Sequence, residues 1–252
     1  MGSLPRFLFL PAPDSASRKA RAAFPFFLLW LLAVCLLGCG RDSPSSPADS
    51  SGPESFTFFE VGAQTVLTDS VRDRLRAQLG RPGVSRRNVL DLAIRSPEFF
   101  SEHFPGLADL HRKLNGKSGA RVEHDTVRLD FRYMDRNATP FDRVQMTFDE
   151  ETGKPLLVRI ETRRDGEAVA AALAEAHGPP RIIDAGSGIQ QSRVWTREGD
   201  VLVFSVDEAA AGIPEYRIAI FYVNSLRRLV EREAARREAR RNQERDAINQ
   251  AF

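Results

Sequence analysis

The sequence predicts an α+β fold. Its antiparallel sheet has about six strands in a strand-strand-strand-helix pattern that occurs twice. A small helical cluster precedes the sheet and a long charged helix ends the chain. Three observations carry this. Val127, Leu129, Phe131 and Tyr133 alternate with Arg128, Asp130 and Arg132, the period-two pattern of a half-buried strand. Residues 69–115 repeat apolar side chains at helical spacing instead. From Arg227 onward there are eight arginines and five acids, and beyond Glu231 the apolar residues are mostly alanines.

The aromatic stretch Phe56–Val61 reads as a short strand or docking segment. Asp69 reads as the cap of a helix through Leu79, with Val71, Leu75 and Leu79 on one face and Gly80 as its stop. Ser85 reads as the cap of a second helix, 86–95, facing inward through Val89, Leu90, Ala93 and Ile94. Ser96-Pro97-Glu98 starts a third, since proline is tolerated in a helix's first turn. Pro105-Gly106 breaks it. Leu107, Leu110 and Leu114 then continue to Asn115-Gly116.

Two more alternating runs follow the first strand, Val144–Phe148 and Leu156–Ile160. Residues 149–154 join them as a hairpin, with Gly153 placed for a positive φ. Gly166–His177 has a helical face of Val169, Ala172, Leu173 and Ala176, ended by Gly178-Pro179-Pro180. Residues 193–196 and 201–206 read as strands joined by 197–200, and Tyr216–Tyr222 as the last strand. The alternation calls for helices on one face of the sheet. Asn224 or Ser225 caps the final helix. Its apolar anchors end at Val230, and its one useful i,i+4 ion pair joins Glu233 to Arg237.

Arg18, Lys19 and Arg21 precede an apolar run from Ala22 to Gly38, short for a membrane span and laid out like a secretory signal peptide. Leu36-Leu37-Gly38-Cys39 closes it and resembles the lipobox of bacterial lipoproteins. The resemblance implies cleavage before Cys39 and acyl chains on that residue. It covers only the end of the leader and places the domain in no family. The leader before the apolar run is long, as it would be were the true start downstream of Met1. Residues 40–55 are Ser-, Pro-, Gly- and Asp-rich, a tether of ~20–25 Å if it behaves as a random coil. Gly40 stands where, in that family, an Asp signals inner-membrane retention, so the resemblance favours the outer membrane and a periplasm-facing domain. The expected organisation is a signal peptide (1–38), a lipidated cysteine and tether (39–55), a helical subdomain (56–120), a sheet domain (121–226) and a charged C-terminal helix (227–252).

Both cysteines, Cys35 and Cys39, lie in the leader stretch, so the rest of the chain has no thiol for a disulfide, zinc ligand or nucleophile. Without the leader's four bases and one acid, the net charge falls from +2 to about −1. No domain-wide basic field points to nucleic acid. His103, His111, His124 and His177 show no metal-ligand spacing. Asp149-Glu150-Glu151 lacks the alternating ligands of a calcium loop and reads as a polar turn. Asn137-Ala138-Thr139 fits a glycosylation acceptor but, beside a bacterial lipobox, reads as a loop.

The chain therefore reads as a membrane-anchored envelope lipoprotein that is not an enzyme, a binding or interaction module with no implied cofactor. The Arg-rich C-terminal helix is either a solvated arm or a contact for an acidic surface or protein. Two alternatives stay open. One is an exported enzyme on the same anchor, which needs a pocket lined by His111, His124 or paired carboxylates. The other is an uncleaved single-pass scaffold, disfavoured because no heptad seam continues beyond Leu229.

Overall fold

A computed structural model describes residues 55–116, 121–132, 140–162, 166–184, 191–208 and 214–251. Cys39, the rest of the leader, most of the tether and the Asn137–Thr139 loop lie outside them. The described residues belong to one unit, Ser50–Phe252. In chain order its elements are α1 (Asp69–Leu79), β1 (Gly83–Val89), α2 (Pro97–His103), α3 (Pro105–Asn115), β2 (Glu123–Arg132), β3 (Arg143–Asp149), β4 (Pro155–Thr162), α4 (Gly166–His177), β5 (Arg181–Asp184), β6 (Gln191–Arg197), β7 (Asp200–Glu208), β8 (Pro214–Phe221) and α5 (Val223–Ala251).

The eight strands form one antiparallel sheet in the order β1-β2-β3-β4-β8-β7-β6-β5. The expected count of about six is therefore two short, and the strands that were missed, β1 and β5, are its two edges. Edge strands need not alternate. In β1 only Asn88 is buried, and five exposed residues precede it. The expected helix 86–95 is instead the end of β1 and an extended segment. Leu90, Leu92 and Ile94 are buried at i, i+2, i+4 spacing, while Asp91 faces solvent. Helical and extended periods compete over such a short run, and tertiary packing selects the extended one. Asn88 fastens the strand: its backbone N–H and Nδ2 both reach the Thr126 hydroxyl on β2, at 3.3 and 3.2 Å.

The repeat also differs in composition. It is a helix followed by a four-strand meander, α1 with β1–β4 and α4 with β5–β8, with α2 and α3 inserted after β1. The two meanders join through β4 and β8, where Leu157 pairs with Phe221 and Ile160 with Ile218.

Helices cover both faces rather than one. On the first, α1 (Val71, Leu75, Leu79) and α4 (Ala170) share a core with Phe131, Phe148 and Phe204. On the second, α2, α3 and α5 pack Phe100, Leu110, Leu226 and Leu229 over Leu157, Val203 and Phe221. The central strands are apolar on both sides, as Leu156, Leu157 and Val158 show, all at most 5% exposed. The second face is apolar only at one end. Towards its other end lie Arg128, Asp130, Arg143, Gln145, Arg159, Glu161 and Arg217, brought together by the register of β2, β3, β4 and β8.

Local signals place the helix ends. The Thr68 hydroxyl accepts from Val71 N–H, one residue before the expected cap of α1, and Ser96 caps α2. Glu198 and Gly199, at φ 51° and 83°, make the tight β6–β7 turn, and Gly153 has φ 66° in the β3–β4 turn. Asp200, just after the β6–β7 turn, accepts from Val223 N–H at the start of α5 (2.8 Å) and from the Ser55 hydroxyl. Tyr222 donates to the carbonyls of Phe56 and Val61. The chain thus enters the domain beside the N-terminus of α5.

Candidate functional site

Residues Val89–Arg95 form a strap over the polar part of the second face. Arginines fasten it at intervals. Arg128 of β2 donates from Nη2 to the Val89 carbonyl (3.0 Å), and Arg159 of β4 from Nη2 to the Asp91 carbonyl. Arg95 reaches beyond β8, donating to the Gln191 carbonyl (3.1 Å) and pairing with Asp207 (3.2 Å). From above, His111 of α3 accepts the Leu92 N–H at Nδ1 (3.1 Å), and Asn115 donates to the Leu90 carbonyl (2.9 Å). Beyond Val89 the strap has no ladder, so side chains satisfy its backbone.

A cavity of about 380 Å³ lies between strap, sheet and α3. Its polar lining comprises Asp91, His111, Asn115, Arg121, Arg128, Gln145, Thr147 and Arg159. Among the described residues, none of these three arginines has a carboxylate within 4 Å, whereas Arg95, Arg143, Arg193, Arg217 and Arg232 all do. Burial lowers the pKa of both Arg128 and Arg159, only partly offset by Asp130 for the first and Asp91 for the second. Their charge is held in a desolvated place without full compensation. Asp91 is mostly exposed, and its Oδ1 already takes the Ala93 N–H (2.9 Å). His111 accepts at Nδ1, which puts its proton on Nε2 as a free donor. A second cavity, about 320 Å³, lies on the other side of Arg159, where Arg95 and Arg217 both pair with Asp207.

Asp130 shows the compensated case. Burial would raise its pKa, but the forked bonds from Arg143 (3.0 and 2.8 Å), then those from Arg132, and both charges outweigh burial and hold it at about 2. A depressed carboxyl stabilises the fold fully above about pH 4, its unfolded range, and loses that stabilisation as pH falls towards 2. The group is partly solvated, so the contribution is at most about 1 kcal/mol. Asp130→Asn should flatten the urea midpoint against pH between about 4 and 2, leaving other carboxyls to carry what slope remains. Parallel profiles for the two proteins would contradict this.

The four histidines go to four places. His103 packs edge-on against Phe99. His124 is buried and donates from Nδ1 to Glu233 of α5 (2.7 Å). His177 packs against Phe56, and burial, then Arg197, lowers its pKa. Only His111 lines the cavity. Among the described residues no group of three or more His, Cys, Asp or Glu could hold a metal ion. The polar turn Asp149-Glu150-Glu151 is also a docking point: Arg232 pairs with Asp149 (2.6 Å) and Arg236 with Glu151 (2.6 Å). Glu233 bonds His124 rather than pairing with Arg237, because α5 lies on the sheet at that turn. From Ala234 on, every described residue of α5 is exposed.

Arg128, Gln145, Thr147 and Arg159 were legible as the wet sides of their strands. What hid the site is the strap, read as a helix, and the register that puts Arg128 opposite Thr147 and Gln145 opposite Arg159. No family model, curated protein or solved structure matches the chain. Among the described residues no helix is long and apolar enough to cross a membrane.

Proposed function

We propose that this chain is an exported envelope lipoprotein, held by acyl chains on Cys39, whose domain is a binding module rather than a catalyst. The observation that carries it is Leu36-Leu37-Gly38-Cys39, at the end of a basic-flanked apolar run and directly before a polar stretch. Two acyl chains or more give a stable anchor where one does not, at ~0.8 kcal/mol per buried methylene. The polar stretch then spaces the domain from the membrane. With Gly40 after the cysteine, the outer membrane is the favoured address. The binding surface in this reading is the arginine-lined cavity, and the exposed half of α5 is a second surface, offered to an acidic partner.

The test is to express the full chain and Cys39→Ala in a bacterium fed a clickable fatty acid. Label on the first alone, with a mass drop matching loss of residues 1–38, is expected. No label and no cleavage in either form would reject the reading and leave the apolar run as a membrane anchor. One observation favours the exported-enzyme alternative: His111 lines the cavity with Nε2 free. Its Nδ1 is committed to the Leu92 backbone, and the neighbouring Thr147 hydroxyl accepts from Arg128 Nε at 3.4 Å. Both roles fit a cavity built to hold a ligand.

A further inference from the structure

We propose that the cavity beneath the Val89–Arg95 strap is a binding site for a small dianionic oxyanion, a phosphate ester or dicarboxylate, held by Arg121, Arg128 and Arg159. This deepens the binding-module reading and rests on it. The first argument is charge. Three guanidinium groups line the cavity against one carboxylate, Asp91, which faces mostly outward. The local excess of two positive charges matches a doubly charged ligand.

The second argument is donor count. Fastening the strap would explain Arg128 and Arg159 if it used them up. It does not: Arg159 gives one bond, from Nη2, and Arg128 gives two, from Nε and Nη2, of the five N–H groups each carries. Arg121 makes no hydrogen bond or ion pair with the described residues. The remaining donors have the planar fork that fits carboxylate and phosphate oxygens. His111 Nε2–H adds a neutral donor on the α3 side.

The third argument is contrast with the cavity next door. There Asp207 pairs with both Arg95 and Arg217, and with Asp91 and Glu161 also on the wall three carboxylates balance three arginines. The two cavities share Arg159 and the strap, but only the first leaves its guanidinium groups without carboxylate partners. Burial, which lowers the pKa of Arg128 and Arg159, is the cost a bound anion would offset. The size, about 380 Å³, is at the small end of ligand sites and suits a metabolite-sized anion.

The experiment is calorimetric titration of the full-length protein in detergent with glycerol phosphate and, separately, succinate, in low and high salt. Saturable one-to-one binding of either is expected, weakened by salt. Phosphate-only or succinate-only binding names the source. Arg159→Gln should weaken binding tenfold or more. Because that residue also holds the strap, Arg121→Ala is the second variant: its side chain is exposed, and its loss should weaken binding several-fold without unfolding the domain. No heat from either probe at about 10 mM, far above a usable Kd, would overturn the proposal. So would binding unchanged in both variants. The fatty-acid label on Cys39 is read separately, so loss of label with retained binding rejects only the anchor, and the converse only the ligand.

Discussion

Phe131→Ala is expected to destabilise the domain by about 3–5 kcal/mol, the range for emptying a buried phenylalanine site. Phe131 is fully buried on β2, pairs with Val144 across to β3, and belongs to the core that α1 and α4 close over the sheet. Its own backbone is laddered to β3, and the β1 ladder reaches the neighbouring Asp130, so the hole cannot collapse freely. A domain of this kind has roughly 5–15 kcal/mol in hand, so this one truncation should leave it marginal. Urea unfolding would show the midpoint falling with the slope unchanged. A loss under about 1 kcal/mol would mean that the first face is loosely packed and that the alternation of β2 reports exposure rather than a core.

Legibility in the sequence follows the same physics. The inner strands β2, β3, β4, β7 and β8 were readable because a buried face forces period two, and Val127, Leu129 and Phe131 obey it. The helix α4 was readable to the residue, since Gly178 stops it with a positive φ. The edges β1 and β5 were not. Their pairing is mostly backbone to backbone on one side, and side chains such as Val84 and Ile182 stay exposed. The cavity was not legible either. Arg128 and Arg159 were visible on wet strand faces, whereas Arg121 precedes β2, and only the register and the strap make that face an enclosure. An arginine on an uncovered strand costs nothing, whereas the same arginine under a strap is desolvated.

Arg232→Ala is expected to cost about 2–3 kcal/mol, several times what Arg236→Ala costs one turn further on. The difference lies in what each leaves behind. Arg232 bonds Asp149 at 2.6 Å, and the Asp149 side chain is only 4% exposed. Arg232 Nε also lies 2.9 Å from Glu151, as an ion pair without hydrogen-bond alignment. Without Arg232, Asp149 keeps the Thr152 hydroxyl (2.6 Å) but no cation, and a buried carboxylate without a counter-charge is destabilising. Arg236 and Glu151 are each about half exposed, so their pair is worth at most about 1 kcal/mol. The decisive variant is the double change, Arg232→Ala with Asp149→Asn. It removes the stranded charge and should recover about half of the loss, since Asn can still accept from Thr152. No recovery would mean that the loss comes from the arginine stem packing on the turn, not from its charge. Recovery would identify the Asp149–Arg232 pair as the joint that seats α5 on the sheet, beyond which its residues from Ala234 on are exposed.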